Sequence, residues 1–102
     1  MIQVIATIEL KPGCRAEFLE EFRKIVPLVR DEVGCQEYVP FIDLQAPFGT
    51  IAPKREDTVV VIEKWNTIEA LENHLVAPHM MAYRPKVKHL LENVRLQVLT
   101  PA

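Results

Sequence analysis

Only two of the 102 residues are cysteine and only three are glycine. Cys14 and Cys35 are too few for a disulfide framework, and they make no zinc-ligand spacing. The expectation is two reduced thiols in a cytoplasmic protein. There is no Gly-rich phosphate loop and no Gly-x-Ser-x-Gly elbow. An excess of one charge is missing too. Twelve basic residues stand against 14 acidic ones, for a formal charge of −2. Both signs are scattered and no basic patch forms, which argues against nucleic acid as the main partner. No apolar run approaches the roughly 18 residues of a membrane span. The opening MIQVIATIELKPG lacks the basic n-region of a leader, and Glu9 and Lys11 cut its apolar run short. No membrane partner is expected.

What is present is ordinary for a globular chain, with 49% hydrophobic and 25% charged residues. Its length suits one domain, residues 1–102, with one modest core. Ile2 to Leu10 alternates as a strand, and Lys11-Pro12-Gly13 ends it. From Arg15 to about Asp31, Phe18, Phe22, Ile25 and Val29 make one helical face. Pro27 is expected to kink that helix or end its regular part, and Gly34 to stop it. Cys35 to Leu44 reads as a strand whose Pro40 demands a sheet edge or a bulge. Gln45 to Asp57, with Pro47, Gly49 and Pro53, is a long loop, of the kind that often binds or covers a site.

Thr58 to Trp65 carries "VVVI", apolar on both faces and therefore suited to the middle of a sheet. A helix starts at Thr67, capped by its hydroxyl or by an Asn66–Glu69 capping box. Pro78 interrupts it. His79 to about Leu91 continues with Met80, Tyr83, Val87 and Leu90 on one face, and Asn93 to Thr100 is the last strand. The order βαββαβ is α+β: a ferredoxin-like antiparallel sheet with helices on one side. The uncovered face would expose Val and Ile from the central strands, and two-fold pairing is the commonest way to bury such a face. A homodimer is expected on that ground.

The segment WNTIEALENHLVAPH, Trp65 to His79, holds the only tryptophan and two of three histidines. Val59, Val61, Glu63 and Trp65 share a strand face, and Leu71, His74 and Leu75 share a helix face. If the two faces pack, His74 enters an apolar space near Trp65. There its imidazole is either a core histidine held by one hydrogen bond or a base titrating near neutrality. His79 follows Pro78 at a helix start, where a neutral ring can cap the first turn. His89 reads as surface, Tyr83 and Met80-Met81 as core, and Arg84 as a solvated charge. No metal site is expected, because His74 and His79 are five apart rather than the four a helical zinc pair uses.

Three stretches, MIQVIATIELKPG, RDEVGCQEY (Arg30 to Tyr38) and IEKWNTIEALENHLVAPH (Ile62 to His79), together resemble the antibiotic biosynthesis monooxygenase family across residues 1 to 100. The resemblance implies a dimeric α+β barrel, two ferredoxin-like sheets face to face with helices outside. It also implies a cofactor-independent monooxygenase acting on a quinol or polycyclic phenol with dioxygen. His74 would be the catalytic base, with Trp65, Tyr83, Arg84, His79 and Glu63 binding substrate. Trp65 and Tyr83 would be walls and Arg84 an anion stabiliser. The chain departs from the family pattern in its long loop, in Val59–Val61 where an aromatic is frequent, and in a first strand with Thr7 but no Asn. The last departure tells against the haem-degrading branch. Two alternatives stay open: an isomerase or small-ligand-binding protein on the same fold, and a non-enzymatic dimerising stress-response module with a filled core.

Overall fold

A computed structural model of the chain describes residues 1–49 and 51–102; Thr50, within the expected long loop, lies outside the described residues. The elements are β1 (Ile2–Leu10), α1 (Arg15–Arg30), β2 (Cys35–Phe41), β3 (Thr58–Trp65), α2 (Ile68–Leu75), α3 (Pro78–Val87) and β4 (Leu91–Leu99), with a 3₁₀ turn at Lys88–Leu90 joining the last two. The sheet order is β2-β3-β1-β4, and every pairing is antiparallel. This is the ferredoxin-like arrangement, with β1 and β3 in the centre. β4 pairs with β1 of its own chain, from Gln3–Leu99 to Leu10–Leu91.

Period-two alternation sorts the two faces. Val4, Ala6, Ile8 and Leu10 of β1 and Val59, Val61, Glu63 and Trp65 of β3 are buried under the helices. Ile5, Val60 and Ile62 lie on the opposite, uncovered face at intermediate exposure. The "VVVI" run is two-sided because its strand is central. Pro40 lies in β2, an edge strand, and the β2–β3 register also shifts between Cys35 and Glu37. A residue without an N–H is tolerated there because one side of the strand has no partner to bond.

Pro27 does not end its helix. α1 runs through it to Arg30, and the Asp31 N–H bonds the Pro27 carbonyl at 3.2 Å. Proline forfeits only its own N–H bond to the preceding turn. Ile25, Val26 and Val29 bury that last turn well enough to hold it. The aromatic core sits beneath: Phe22 stacks on Phe18 (5.7 Å) and on Tyr38 (5.5 Å), while Tyr83 meets both Phe rings edge-on. Thr67 caps α2 by accepting from the Ala70 N–H at 3.1 Å. Pro78 opens α3 at its first turn, where no N–H is needed.

α1 already stops at Arg30, with Asp31 as its C-cap, so Gly34 lies instead in the turn that leads into β2, at φ +85°, and a Cβ there would lie 2.7 Å from the Cβ of Ala70. Both the left-handed backbone and the close approach of α2 require glycine. Gly34→Ala should cost about 2 kcal/mol, read as a lower urea midpoint at unchanged slope. A cost near zero would mean that the α1–β2 turn rearranges freely.

The helices do not reach across β4. Val94, Leu96 and Val98 pair with Ile8, Ala6 and Val4, so they point to the helix side, yet each is about half exposed. The uncovered flank opens a space between α3 and the sheet. From Ile42 to Asp57 the described residues form no helix or strand. The base of this loop is held by a fork of Arg55 on Asp43 (2.8 and 2.9 Å) and by Asp57, which accepts from the Gly13 N–H. No helix among the described residues is long and apolar enough to cross a membrane.

Candidate active site

The space beside α3 is a cavity of about 660 Å³. Ala6, Ile8, Val61, Phe18, Phe22, Met80, Val87 and Leu91 make it apolar, and Val94, Leu96, Leu75 and Met81 stand at its open side. Its polar edges come from Glu63, His74, Tyr38, Tyr83, Arg84 and Lys88. An apolar cavity with a few convergent polar groups is the ordinary form of a small-molecule site. No described residue of the Ile42–Asp57 loop lines it.

His74 is 2% exposed. α2 aims it inward on the same face as Ala70 and Leu71, and the Trp65 ring lies 4.7 Å from it, with Tyr38 edge-on at 5.4 Å. Its Nδ1 is 3.0 Å from Oε2 of Glu32. A carboxylate can only accept, so Nδ1 carries the proton and donates it. Nε2 is then the unprotonated nitrogen. It makes no hydrogen bond among the described residues, and His74 lines the cavity. Burial pulls the imidazole below its ordinary pKa, and the Glu32 bond opposes this only in part. His74 is thus the candidate base at this cavity.

His79 does not cap α3, whose N-cap is Ala77 without a side-chain bond. Instead its Nε2–H donates to the same Glu32 oxygen at 2.6 Å. A full carboxylate is a stronger acceptor for that proton than any group at the helix start. One carboxylate therefore fixes two imidazoles. Glu32 follows the C-cap of α1, 42 and 47 residues from its partners. No local pattern could have joined them.

The other expected site residues divide. Glu63, Tyr83 and Arg84 line the cavity; Trp65 and His79 do not. Trp65 is fully buried behind the site, where its Nε1–H donates to Oε1 of Glu63 at 3.0 Å. Arg84 is not simply solvated: it donates to the Leu75 carbonyl at 2.6 Å and to Met81 Sδ at 3.4 Å. Burial pushes the phenols of Tyr38 and Tyr83 well above their ordinary range, and the Glu63 carboxyl up to about 7. Met80 and Met81, expected as core, both line the cavity, and Met81 is 57% exposed. Tyr38, Leu96 and Val94 had no sequence signal beyond strand alternation. Cys14 and Cys35 are unpaired, and neither lines the cavity. Among the described residues no group of three or more His, Cys, Asp or Glu is arranged to hold a metal ion.

The sequence matches the family described as "Antibiotic biosynthesis monooxygenase" over residues 1–86. The chain belongs to the antibiotic biosynthesis monooxygenase family. It is 42% identical over 105 aligned positions to the Escherichia coli (strain K12) protein named "Probable quinol monooxygenase YgiN", covering 99% of this chain and 98% of that one. Among solved structures, PA3566 from Pseudomonas aeruginosa superposes with a TM-score of 0.81 at 28% identity, covering 99% of this chain and 93% of that one. Rv0793 from Mycobacterium tuberculosis gives 0.80 at 25% identity, covering 99% and 94%. Membership in the antibiotic biosynthesis monooxygenase family assigns monooxygenase chemistry at the family level. The substrate and the base do not follow from membership.

If Glu32 sets the tautomer of His74, Glu32→Ala should slow oxygen consumption by about 10-fold or more. The acid limb of the pH profile should also move to lower pH, because Glu32 raises the His74 pKa. An unmoved limb would leave Glu32 a purely structural residue.

Proposed function

We propose that the protein oxygenates a quinol or related polycyclic phenol with dioxygen, without metal or flavin, using His74 as base. The observation that carries the reading is a buried His74, its Nδ1 held by Glu32, lining an apolar cavity of about 660 Å³. Likeness to a protein named as a quinol monooxygenase supports the substrate class. Such a reaction asks three things of a protein. It must take the phenolic proton, hold the electron-rich anion away from water, and admit oxygen, which draws its electrons from that anion. Phe18, Phe22 and Val61 are fitted to the apolar wall, and Arg84 at the edge is placed to offset the anion's charge.

The reading includes a homodimer. Ile5, Val39, Val60, Ile62 and Phe41 lie on the uncovered sheet face, and apolar surface of that kind is normally buried by a partner. Sedimentation should therefore return twice the chain mass, and a monomer at micromolar concentration would remove this part. The activity is tested by oxygen uptake with a panel of hydroquinones and anthrones, under air and under nitrogen. Equimolar oxygen and substrate consumption above the autoxidation background is expected. Equal turnover under nitrogen would replace the oxygenase with an isomerase on the same fold. The filled core expected of a purely structural module is not seen, since the cavity adjoins His74.

A further inference from the structure

Glu63 is a carboxyl group that makes no ion pair among the described residues. It is 5% exposed, and its Oε1 accepts from the indole N–H of Trp65. Its cross-strand neighbours are Val4 on β1 and Tyr38 on β2. His74 from α2 and Tyr83 and Arg84 from α3 line the same cavity, and Glu32 contributes a like charge from the end of α1. Among the described residues none of these, nor Lys88, which also lines the cavity, forms an ion pair or hydrogen bond with Glu63. Among the described residues Oε2 has no hydrogen-bond partner, and Glu63 lines the cavity. Trp65 joins this group to the base: one face of the indole packs on His74 at 4.7 Å while its N–H fixes Glu63.

We propose that Glu63 is a second catalytic residue, the acid that delivers a proton to the distal peroxide oxygen from its free Oε2, with Trp65 as the positioning residue that aligns acid and base. The proposal rests on the oxygenase reading above. In that reaction His74 Nε2 takes the phenolic proton of the quinol. The anion passes one electron to dioxygen, and the two radicals join at the adjacent ring carbon to give a peroxide anion. The His74 imidazolium returns its proton, giving a hydroperoxide on a carbon that still bears hydrogen. His74 then takes that C–H proton, and the C–H electron pair forms a C=O bond as the O–O bond breaks. The distal oxygen, already carrying one hydrogen, takes the Glu63 proton and leaves as water. The His74 proton returns to Glu63 through water. Quinol plus dioxygen has become hydroxyquinone plus water, with no outside reductant.

The second half needs an acid and a base together. A carboxyl group whose pKa burial raises to about 7, in the same cavity as an imidazole whose pKa burial lowers, supplies both at once. Without the acid, the hydroperoxide has a competing exit: loss of hydrogen peroxide to give the unhydroxylated quinone.

The experiment compares wild type with Glu63→Gln, which keeps the acceptor for Trp65, measuring oxygen uptake, hydrogen peroxide and both quinone products on 1,4-naphthalenediol. Hydroxyquinone formation should fall by about 100-fold or more, the consumed oxygen should appear as hydrogen peroxide, and the alkaline limb of the profile should vanish. Unchanged product ratios with the alkaline limb intact would overturn the role of Glu63 and leave the oxygenase standing. No oxygen uptake by wild type would instead fail the oxygenase reading, and this proposal with it. Infrared spectra of wild type give an independent check should the variant misfold. The carbonyl band of a neutral carboxylic acid should persist at about pH 6 and bleach through about pH 7. Its absence at the lower pH would leave no proton to deliver and overturn the proposal.

Discussion

Replacing His74 with alanine is expected to lower oxygen uptake on a quinol by about 100- to 10,000-fold, the range over which a positioned general base acts. His74 lines the cavity with Nδ1 on Glu32, which leaves Nε2 without a hydrogen bond among the described residues and makes it the proposed base. His79 cannot replace it from where it stands, because its Nε2 proton is committed to Glu32 and it does not line the cavity. The phenols of Tyr38 and Tyr83 do line it, but burial holds their pKa values far above neutrality. Wild-type kcat/KM should rise with pH along a limb centred below the ordinary imidazole value of 6.5, since only the neutral ring accepts a proton and burial lowers its pKa. Far-ultraviolet circular dichroism distinguishes lost chemistry from lost fold, and His74→Gln retains more of the packing against Trp65. A fall of less than 10-fold in a folded variant would move the base elsewhere.

The fold was legible because its determinants are local and periodic. Alternation in Ile2–Leu10, the two-sided "VVVI" of β3, Pro40 on an edge and the Thr67 cap each state a physical requirement with one structural solution. Pro27 does not end α1 because a proline's cost within a helix is bounded. Three buried residues around it outweigh one missing hydrogen bond. The site was legible in part. Packing the face of His74 and Leu71 on that of Trp65 and Glu63 follows from two periods, and the rings do meet. Glu32 was not legible, because an acid beyond a helix end reads as solvated unless its distant partners are known. Nor was the position of Trp65 behind the cavity. Periodicity says which face a side chain shares, not how deep it lies. The half-exposed Val94, Leu96 and Val98 show the same limit, since alternation assigns them to the helix side without saying that the helices stop short of β4.

Glu63→Gln should stabilise the protein at alkaline pH and leave it nearly unchanged in acid. Folding raises the Glu63 pKa from 4.5 to about 7, chiefly by burial. Between those values the unfolded chain releases a proton that the folded chain keeps, so stability falls as pH rises through the window and levels off above it. The loss amounts to about 3 kcal/mol at full ionisation. His74 works in the opposite sense. Its folded pKa lies below 6.5, so its contribution is present above that value and lost as pH falls. The two slopes offset one another in wild type, which is why the difference between wild type and variant is the informative quantity. Urea denaturation should give similar stabilities at about pH 4.5 and an advantage of about 3 kcal/mol for Glu63→Gln at about pH 8.5, or on the order of 10 °C in Tm. A pH-independent offset would mean that Glu63 ionises as freely in the folded protein as in the unfolded chain. A confirmed slope would identify a carboxyl group that weakens the fold at neutral pH, where an apolar or amide side chain would not. Such a cost is expected where a cavity needs a proton donor, and it is hard to explain if the site merely fills a core.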